Sequence, residues 1–475
     1  MIYERMQSFS HTELTMIHQA SMAILARSGI NFTDEEAIGI FKAHGFKVDG
    51  TQVYFTEEQV MTALETAPDR FKFHARNPEK SVWIGRDDYA FAPAYGPPFL
   101  IDAEGRQTIG TMADYEKAVK LAQTSPVVDF NGFKYLAPGD LPAETSYLDM
   151  IRAALILSDK PLMGSTDDKT GAENTMEIME LVFGKGYLDD HPVTMGLINP
   201  LSPLSYAHEM SASIIAYARR RQPVIIHNMI MSGASGPIQL PGLMALVNAE
   251  ILGGLVLAQL VGPGTPVIYG SNSCPIFMKT AGAAICSPES QWIFSAVTQL
   301  ARFYHLPCRT GGSLTDSHIP DAQALAEGAI TLTTTIRNGA NLVLHSFGIL
   351  GCFIGISFEK WIMDEELCAY MRGMTKKYAI TSESLAVDQI VEVGSGGTFI
   401  TRPETAKLCR KAFYQHNLFN KHDEAGWRKE GELDLAAKAR KIVEARVGGF
   451  QAPDIDPSLA KDIDALVAKM KTARH

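Results

Sequence analysis

Ten polar side chains stand at the ends of short apolar runs: Asn131, Thr166, Asn199, His227, Asn228, Asn272, Arg309, Thr310, His345 and Ser346. Their chemistry is that of binding and positioning. Arg309, in CysArgThrGlyGly, is a permanent cation at a strand end, suited to an anionic ligand, and its structural alternative is a buried ion pair with Asp316 or Glu289. His345, in ValLeuHisSerPheGly, can hold an anion as a donor or orient water as an acceptor; the competing reading is a packed core histidine. Asn199, in GlyLeuIleAsnPro, offers an amide, and His227 and Asn228 repeat the argument more weakly. Asp167 and Asp168 read as caps of the helix that follows them.

These residues need elements to hold them. The apolar runs are residues 128–133, 161–166, 192–199, 223–228, 266–272, 307–312 and 341–346, each leading into a helical pattern. Their starts lie roughly 30 to 45 residues apart, the length of one β/α unit. Near-continuous apolar strands alternating with helices mean a parallel sheet covered by helices. Seven units and a possible eighth predict an α/β fold, a (β/α)8 TIM barrel, whose functional side chains gather at the C-terminal strand ends.

The chain before this repeat has a different texture. Residues 12–27 carry apolar positions at helical spacing and stop at Gly29, while Thr33 with Glu36 and Thr56 with Gln59 fit two capping boxes. Short antiparallel strands are expected at 71–75, 81–84, 89–93 and 99–102. The division is therefore a helical and β-meander cap over 1–125, integrated with a barrel over 126–400, and a helical extension over 401–475. Residues 92–98, AlaProAlaTyrGlyProPro, form a rigid aromatic segment suited to closing over the barrel mouth.

A net charge of −10 gives no support for nucleic-acid binding. The N-terminus lacks the apolar core of a signal peptide. The most apolar stretch, 244–269, is interrupted by Asn248, Glu250 and Gln259, so it reads as a buried helix and strand, not a membrane span. Six cysteines without a CxxC pair fit reduced thiols in a cytoplasmic protein. SerGlyAlaSerGly (232–236) lacks a Walker lysine and reads as a tight rim loop.

Several of these segments, taken in order, resemble the trimethylamine methyltransferase superfamily. They are residues 161–168, 231–238, CysSerProGluSer (286–290), ArgThrGlyGlySerLeuThrAsp with AspAlaGlnAla (309–324) and AsnLeuValLeuHisSerPheGly (341–348). AlaProAspArgPhe (67–71) and GlyGlyThrPheIle (396–400) extend the likeness almost end to end. The resemblance implies transfer of a methyl group from a methylated amine to the cobalt(I) of a corrinoid, a cobalamin, carried by a separate protein. Founding members contain pyrrolysine, and this sequence has only standard residues, which implies a quaternary-amine substrate. Glycine betaine, giving dimethylglycine, leads; proline betaine and carnitine follow, and a non-catalytic betaine-binding barrel is the rival from another class.

A quaternary nitrogen leaves as a neutral amine, so such an enzyme works by positioning and by excluding water. For the cation the expected cage is Tyr95, Phe99 and Phe353, each aromatic face contributing roughly 0.5 to 2 kcal/mol. For the carboxylate and the chemistry the expected residues are His345, Asn199, Arg309 and His227, with Arg309 also placed to meet the corrinoid. No metal ion is expected: His305 with Cys308 makes an HxxC pair but lacks companion ligands at suitable spacing. The segment 316–321 is similar to the DxHxxG corrinoid motif but ends in Asp321, so the corrinoid should come from a partner. The likeness also implies a homo-oligomer.

Overall fold

The computed structural model describes residues 5–474. Its centre is a parallel sheet of six short strands: β1 (Ala90–Phe91), β2 (Gly196–Ile198), β3 (Val224–Asn228), β4 (Val267–Ser271), β5 (Cys308–Arg309) and β6 (Leu342–Val343). The order is β1-β6-β5-β4-β3-β2. Two extended segments close the gap between β1 and β2. Asp129 N–H donates to Phe91 O at 3.0 Å, Asn131 N–H to Pro161 O at 2.8 Å, Met163 N–H to Gly132 O at 3.0 Å and Gly164 N–H to Met195 O at 2.9 Å. Pro161 has no N–H to give and Gly132 turns left-handed at φ +58°, so these two staves bond without a regular ladder. Eight staves thus complete the (β/α)8 barrel.

One strand lies where the sequence reading did not put it. Residues 89–93 were expected in the antiparallel meander, but Ala90–Phe91 pairs in parallel with Leu342–Val343 as the first barrel strand. A two-residue strand buried on both faces shows no alternation to distinguish it from a meander strand. The barrel therefore starts inside the segment read as a cap. The other expected strands do not join into one meander: Arg70–Phe73 pairs antiparallel with Val82–Gly85 as a separate hairpin, and Phe99–Ile101 pairs antiparallel with Gln107–Ile109, a strand the sequence reading did not include, and parallel with Gly355–Ile356.

The Thr56–Gln59 capping box is present, but the Glu35–Ala43 helix is capped by Asp34, whose Oδ1 accepts from Ala37 N–H at 2.7 Å. Glu36, expected in a box with Thr33, instead binds Lys169 at 3.2 Å and Arg219. An aspartate one residue later outcompetes threonine as a cap.

The helix Leu240–Val261 is long and apolar enough to cross a membrane, yet it is almost wholly buried in the fold. Its polar residues lace layers together. Asn248 donates to Tyr304 and Ser21 and accepts from Tyr269 at 3.0 Å, while Glu250 accepts from Ser202, Leu204 N–H and Asn228. A Cβ on Gly253 would stand 2.2 Å from Ile30, and one on Gly254 2.4 Å from the Tyr206 hydroxyl. The glycine pair is where the N-terminal layer presses onto the barrel.

At the far end of the repeat, Lys360 and Asp364 on the Phe358–Met374 helix form a fully buried ion pair. Ser313 Oγ donates to Asp364 Oδ1 at 2.6 Å, and Gly348 N–H donates to Oδ2 at 2.8 Å. One carboxylate therefore ties the loop after β5 to the loop after β6. Asp364→Ala should cost about 3 to 5 kcal/mol in urea unfolding, because it strands a buried ammonium, and Lys360→Met with Asp364→Leu together should cost less than the single change.

Candidate active site

Parallel register sets His227, Gly270 and Arg309 side by side on β3, β4 and β5. Their neighbours face the helices: Tyr269 bonds Asn248, and Asn228 donates to Val247 O at 3.2 Å and to Glu250 at 2.9 Å. Alternation then turns His227, Gly270 and Arg309 into the barrel. Gly270 leaves the space between the other two open; a Cβ there would lie 3.3 Å from the His227 Cβ. Across that space Arg309 Nη1 donates to His227 Nε2.

The contact fixes a tautomer. A guanidinium only donates, so Nε2 accepts and the imidazole hydrogen sits on Nδ1. Nδ1 is 3.0 Å from Asn199 Oδ1 and donates to it, which orients the exposed Asn199 amide. Arg309 is fully buried and, among the described residues, touches no carboxylate and has two further nitrogens, Nε and Nη2, without a partner. Burial pulls its pKa down to about 9, which leaves it a cation at neutral pH.

His345 completes the floor from the neighbouring stave. Its Nδ1 accepts from Tyr95 N–H at 3.2 Å, so its hydrogen is on Nε2. Its backbone is left-handed at φ +60°, and Phe353, at φ +71°, packs its ring 4.7 Å from the imidazole. Non-glycine residues in this region store strain that the surroundings must hold. The Ser313 N–H, donating to His345 O at 3.0 Å, is part of that hold, through the Asp364 network. Burial and the nearby Arg309 charge push the His345 pKa well below its usual range, and burial with Arg309 and His345 does the same to His227.

Tyr95 adjoins this floor through its backbone N–H. Its hydroxyl bonds Thr166, its ring is 6.4 Å from Phe133, and burial together with Asp167 raises its pKa, so it is a neutral phenol. Phe99 sits apart from this group, on a half-exposed strand in register with Gly355, two residues from Phe353. The other strand-end polar groups hold backbone. Asn272 grips Gly311 by both amide ends, at 3.2 and 2.8 Å, Thr310 binds Ser271 O at 2.7 Å, and Thr166 binds Leu197 O at 2.8 Å. Asn131 is bonded to Tyr135, and Ser346 to Val343 O at 2.6 Å. Asp168 caps its helix as expected, accepting from Gly171 N–H at 2.6 Å.

Three contributors escaped the sequence reading: Gly270, Phe133 and Asp364. Phe133 ends a recognised strand, which was signal enough; Gly270 and Asp364 matter only through contacts between distant segments.

The ion pair considered for Arg309 does not form. Asp316 accepts instead from Ile285 N–H at 3.2 Å and Cys286 N–H at 3.1 Å. The rest of the 316–321 segment is a rim loop, in which Ser317 binds Ile319 O and Asp321 caps the Ala322–Asn338 helix. His305 is exposed while Cys308 is buried, so the HxxC pair is split. Among the described residues, Cys286, Asp316 and Glu327 bring possible metal-ligand atoms within 4.8 Å of one another. Glu327, like Asp316, is already engaged, accepting from Thr315 at 2.7 Å and Asp316 N–H at 2.9 Å.

The family model for trimethylamine methyltransferase matches residues 2–474. The chain belongs to the trimethylamine methyltransferase family. It is 39% identical, over 96% of its length and 95% of the relative's, to a glycine betaine methyltransferase of Desulfitobacterium hafniense (strain Y51). It is 33% identical, over 96% and 95%, to a proline betaine:corrinoid methyltransferase of Eubacterium limosum. The barrel is similar to the solved monomethylamine methyltransferase of Methanosarcina barkeri, with a TM-score of 0.52 at 11% identity over 95% of this chain and 90% of that one. That likeness speaks for the fold alone.

Both inward histidines refuse a proton that the unfolded chain accepts. Between about pH 6.5 and the lowered folded values, the unfolded state binds more protons, so stability falls as pH falls, by up to about 1.4 kcal/mol per pH unit for each histidine. Urea unfolding from pH 7 to 5 should show this slope, and His227→Gln should reduce it.

Proposed function

We propose that this protein moves a methyl group from glycine betaine to the cobalt(I) of a corrinoid carried by a separate protein, leaving dimethylglycine. The observation that carries the reading is the buried Arg309 guanidinium, with two unpartnered nitrogens and no carboxylate in reach. An uncompensated buried cation costs several kcal/mol, and an anion at those nitrogens removes that cost. His345 Nε2–H points to the same use, as a neutral donor beside Arg309.

A betaine carboxylate set on Arg309 and His345 leaves its quaternary nitrogen toward the mouth, where Tyr95, Phe353 and Phe133 offer aromatic faces. Phe99, on the strand paired with Gly355–Ile356 just beyond Phe353, is proposed to close the cage. The chain's own work is positional. Arg309, His345 and the Asn199–His227 pair fix the carboxylate end, and the aromatic faces hold the cation without hydrogen bonds. As the methyl is transferred, its bonding pair stays with nitrogen, which departs as a neutral amine. No proton has to move, in keeping with two histidines held neutral. The methyl acceptor reaches the substrate through the mouth, whose rim carries exposed Leu201, Met229, Ile238, Phe277 and Met278 on the loops after β2, β3 and β4. A rim of this kind suits a protein partner bearing a flat macrocycle.

Proline betaine and carnitine share the carboxylate and the quaternary nitrogen, so the same floor serves them; a non-catalytic barrel would bind the ligand without altering cobalt. An anaerobic assay with cob(I)alamin, then with a cognate corrinoid protein, separates these readings. Conversion to methylcob(III)alamin with glycine betaine supports the proposal. Conversion with another betaine alone moves the substrate, and ligand binding with an unchanged cobalt spectrum sinks the enzyme reading. Arg309→Met should raise the glycine betaine KM by about 100-fold, the loss of one charge-assisted contact. Phe353→Ala should weaken binding by about 0.5 to 2 kcal/mol. EDTA should leave turnover unchanged.

A further inference from the structure

Glu250 lies fully buried on the Leu240–Val261 helix, which follows β3. Among the described residues no lysine, arginine or histidine pairs with it, and three hydrogen-bond donors hold it instead. Two come from the loop after β2: Ser202 Oγ donates to Oε2 at 2.8 Å, and Leu204 N–H to Oε1 at 2.9 Å. The third is the Asn228 amide at the end of β3, which donates to Oε2 at 2.9 Å and to Val247 O at 3.2 Å. Burial raises the Glu250 pKa, and the three donors oppose that rise. An ionised carboxylate only accepts, so it can gather donors from two segments with no hydrogen of its own to place. Burying a charge without a counter-ion is costly, and departures of this kind concentrate at functional sites.

The two segments that Glu250 ties are the ones that carry His227 and Asn199. His227 precedes Asn228 on β3, so holding Asn228 against the helix fixes the face of the strand that turns His227 inward. Asn199 opens the loop after β2. Two residues on, Leu201 N–H donates to Ser205 O at 2.7 Å and Ser205 N–H to Leu201 O at 3.1 Å, closing that loop into a tight unit. Leu204, inside it, is left-handed at φ +54°, a conformation its surroundings must hold, and its N–H is the one that Glu250 accepts. We propose that Glu250 is a positioning residue, which sets the bond between His227 and Asn199 and so the amide that Asn199 presents beside Arg309. Its own bonds go to their neighbours, so it acts through the strand and the loop. That the amide then meets a betaine carboxylate rests on the reaction proposed above; the positioning itself does not.

Nuclear magnetic resonance of the ligand-free protein, isotope-labelled on its histidines, tests this with Glu250→Gln. The carboxamide keeps the size but turns an NH2 group toward donors. Loss of a signal in His227→Gln identifies His227. Its Nδ1 proton, bonded to Asn199, should exchange about 10-fold faster in Glu250→Gln, the size of an ordinary coupling between neighbours. An unchanged signal in a folded variant overturns the proposal. Calorimetry with glycine betaine gives a second reading: Glu250→Gln should raise Kd about 10-fold, and the loss should vanish where Asn199 is already alanine. Equal losses in both backgrounds describe a residue that only supports the fold, and overturn the proposal too. If Glu250→Gln does not fold, Ser202→Ala, which removes one donor at a half-buried loop position, decides by the same two readings. If the wild type does not bind glycine betaine, the proposed reaction falls, and the histidine signal alone decides on Glu250.

Discussion

A guanidinium buried without a counter-charge is expensive, and Arg309 is held in that condition by everything around it. The barrel interior supplies a neutral imidazole lone pair in place of a carboxylate, from His227 across the space left by Gly270. That acceptor works only while His227 is unprotonated, and the Arg309 charge helps to keep it so. The same charge acts on His345. One unpaired cation therefore adds to burial in keeping two histidines neutral, and sets the tautomer of His227 and through it the orientation of Asn199. Each of these groups is then ready for an anion before one arrives, which is what preorganisation means in energetic terms.

Holding that floor rigid falls to a buried charge pair outside the barrel. Asp364 receives bonds from both loops that carry the floor, and Lys360 lies beside it with no exposure. The left-handed backbone at His345, Cys352 and Phe353 costs of order 1 to 3 kcal/mol per residue and survives only where neighbours over-determine it. The Asp364 network is such a neighbour for the His345 loop. Its hydrogen bonds go to Ser313 Oγ and Gly348 N–H, so its influence on the floor runs through those loops.

The barrel could be read from the sequence because seven of its staves are apolar runs at β/α spacing. The first stave could not. Two residues, Ala90–Phe91, carry no periodicity, and their partner Leu342–Val343 lies some 250 residues away. His345, Arg309, His227 and Asn199 were legible as candidates since they end strands, and the structure brings His227, Arg309 and Asn199 into one bonded chain. Asn228 occupied an equally promising position, but strand alternation turns it outward to Glu250. Strand ends are visible in a sequence; which way each one points depends on register, which is set by contacts between strands. Gly270 was invisible for the same reason, because its role is the absence of a side chain between two neighbours.

The proposed floor also bears on selectivity. Trimethylamine, protonated near neutral pH, brings a positive charge and no carboxylate to a site whose deepest group is an unpaired cation. It leaves Arg309 unpaired and adds a like charge in a region of low dielectric. A betaine brings both signs and sets its negative end against the guanidinium. On the proposed reading, the unpaired cation is the group that would reject a bare methylammonium, while the aromatic faces would not distinguish the two. Under that proposal, attraction at the rings would admit any methylated ammonium, and repulsion at the floor would select those that carry a carboxylate at the right distance.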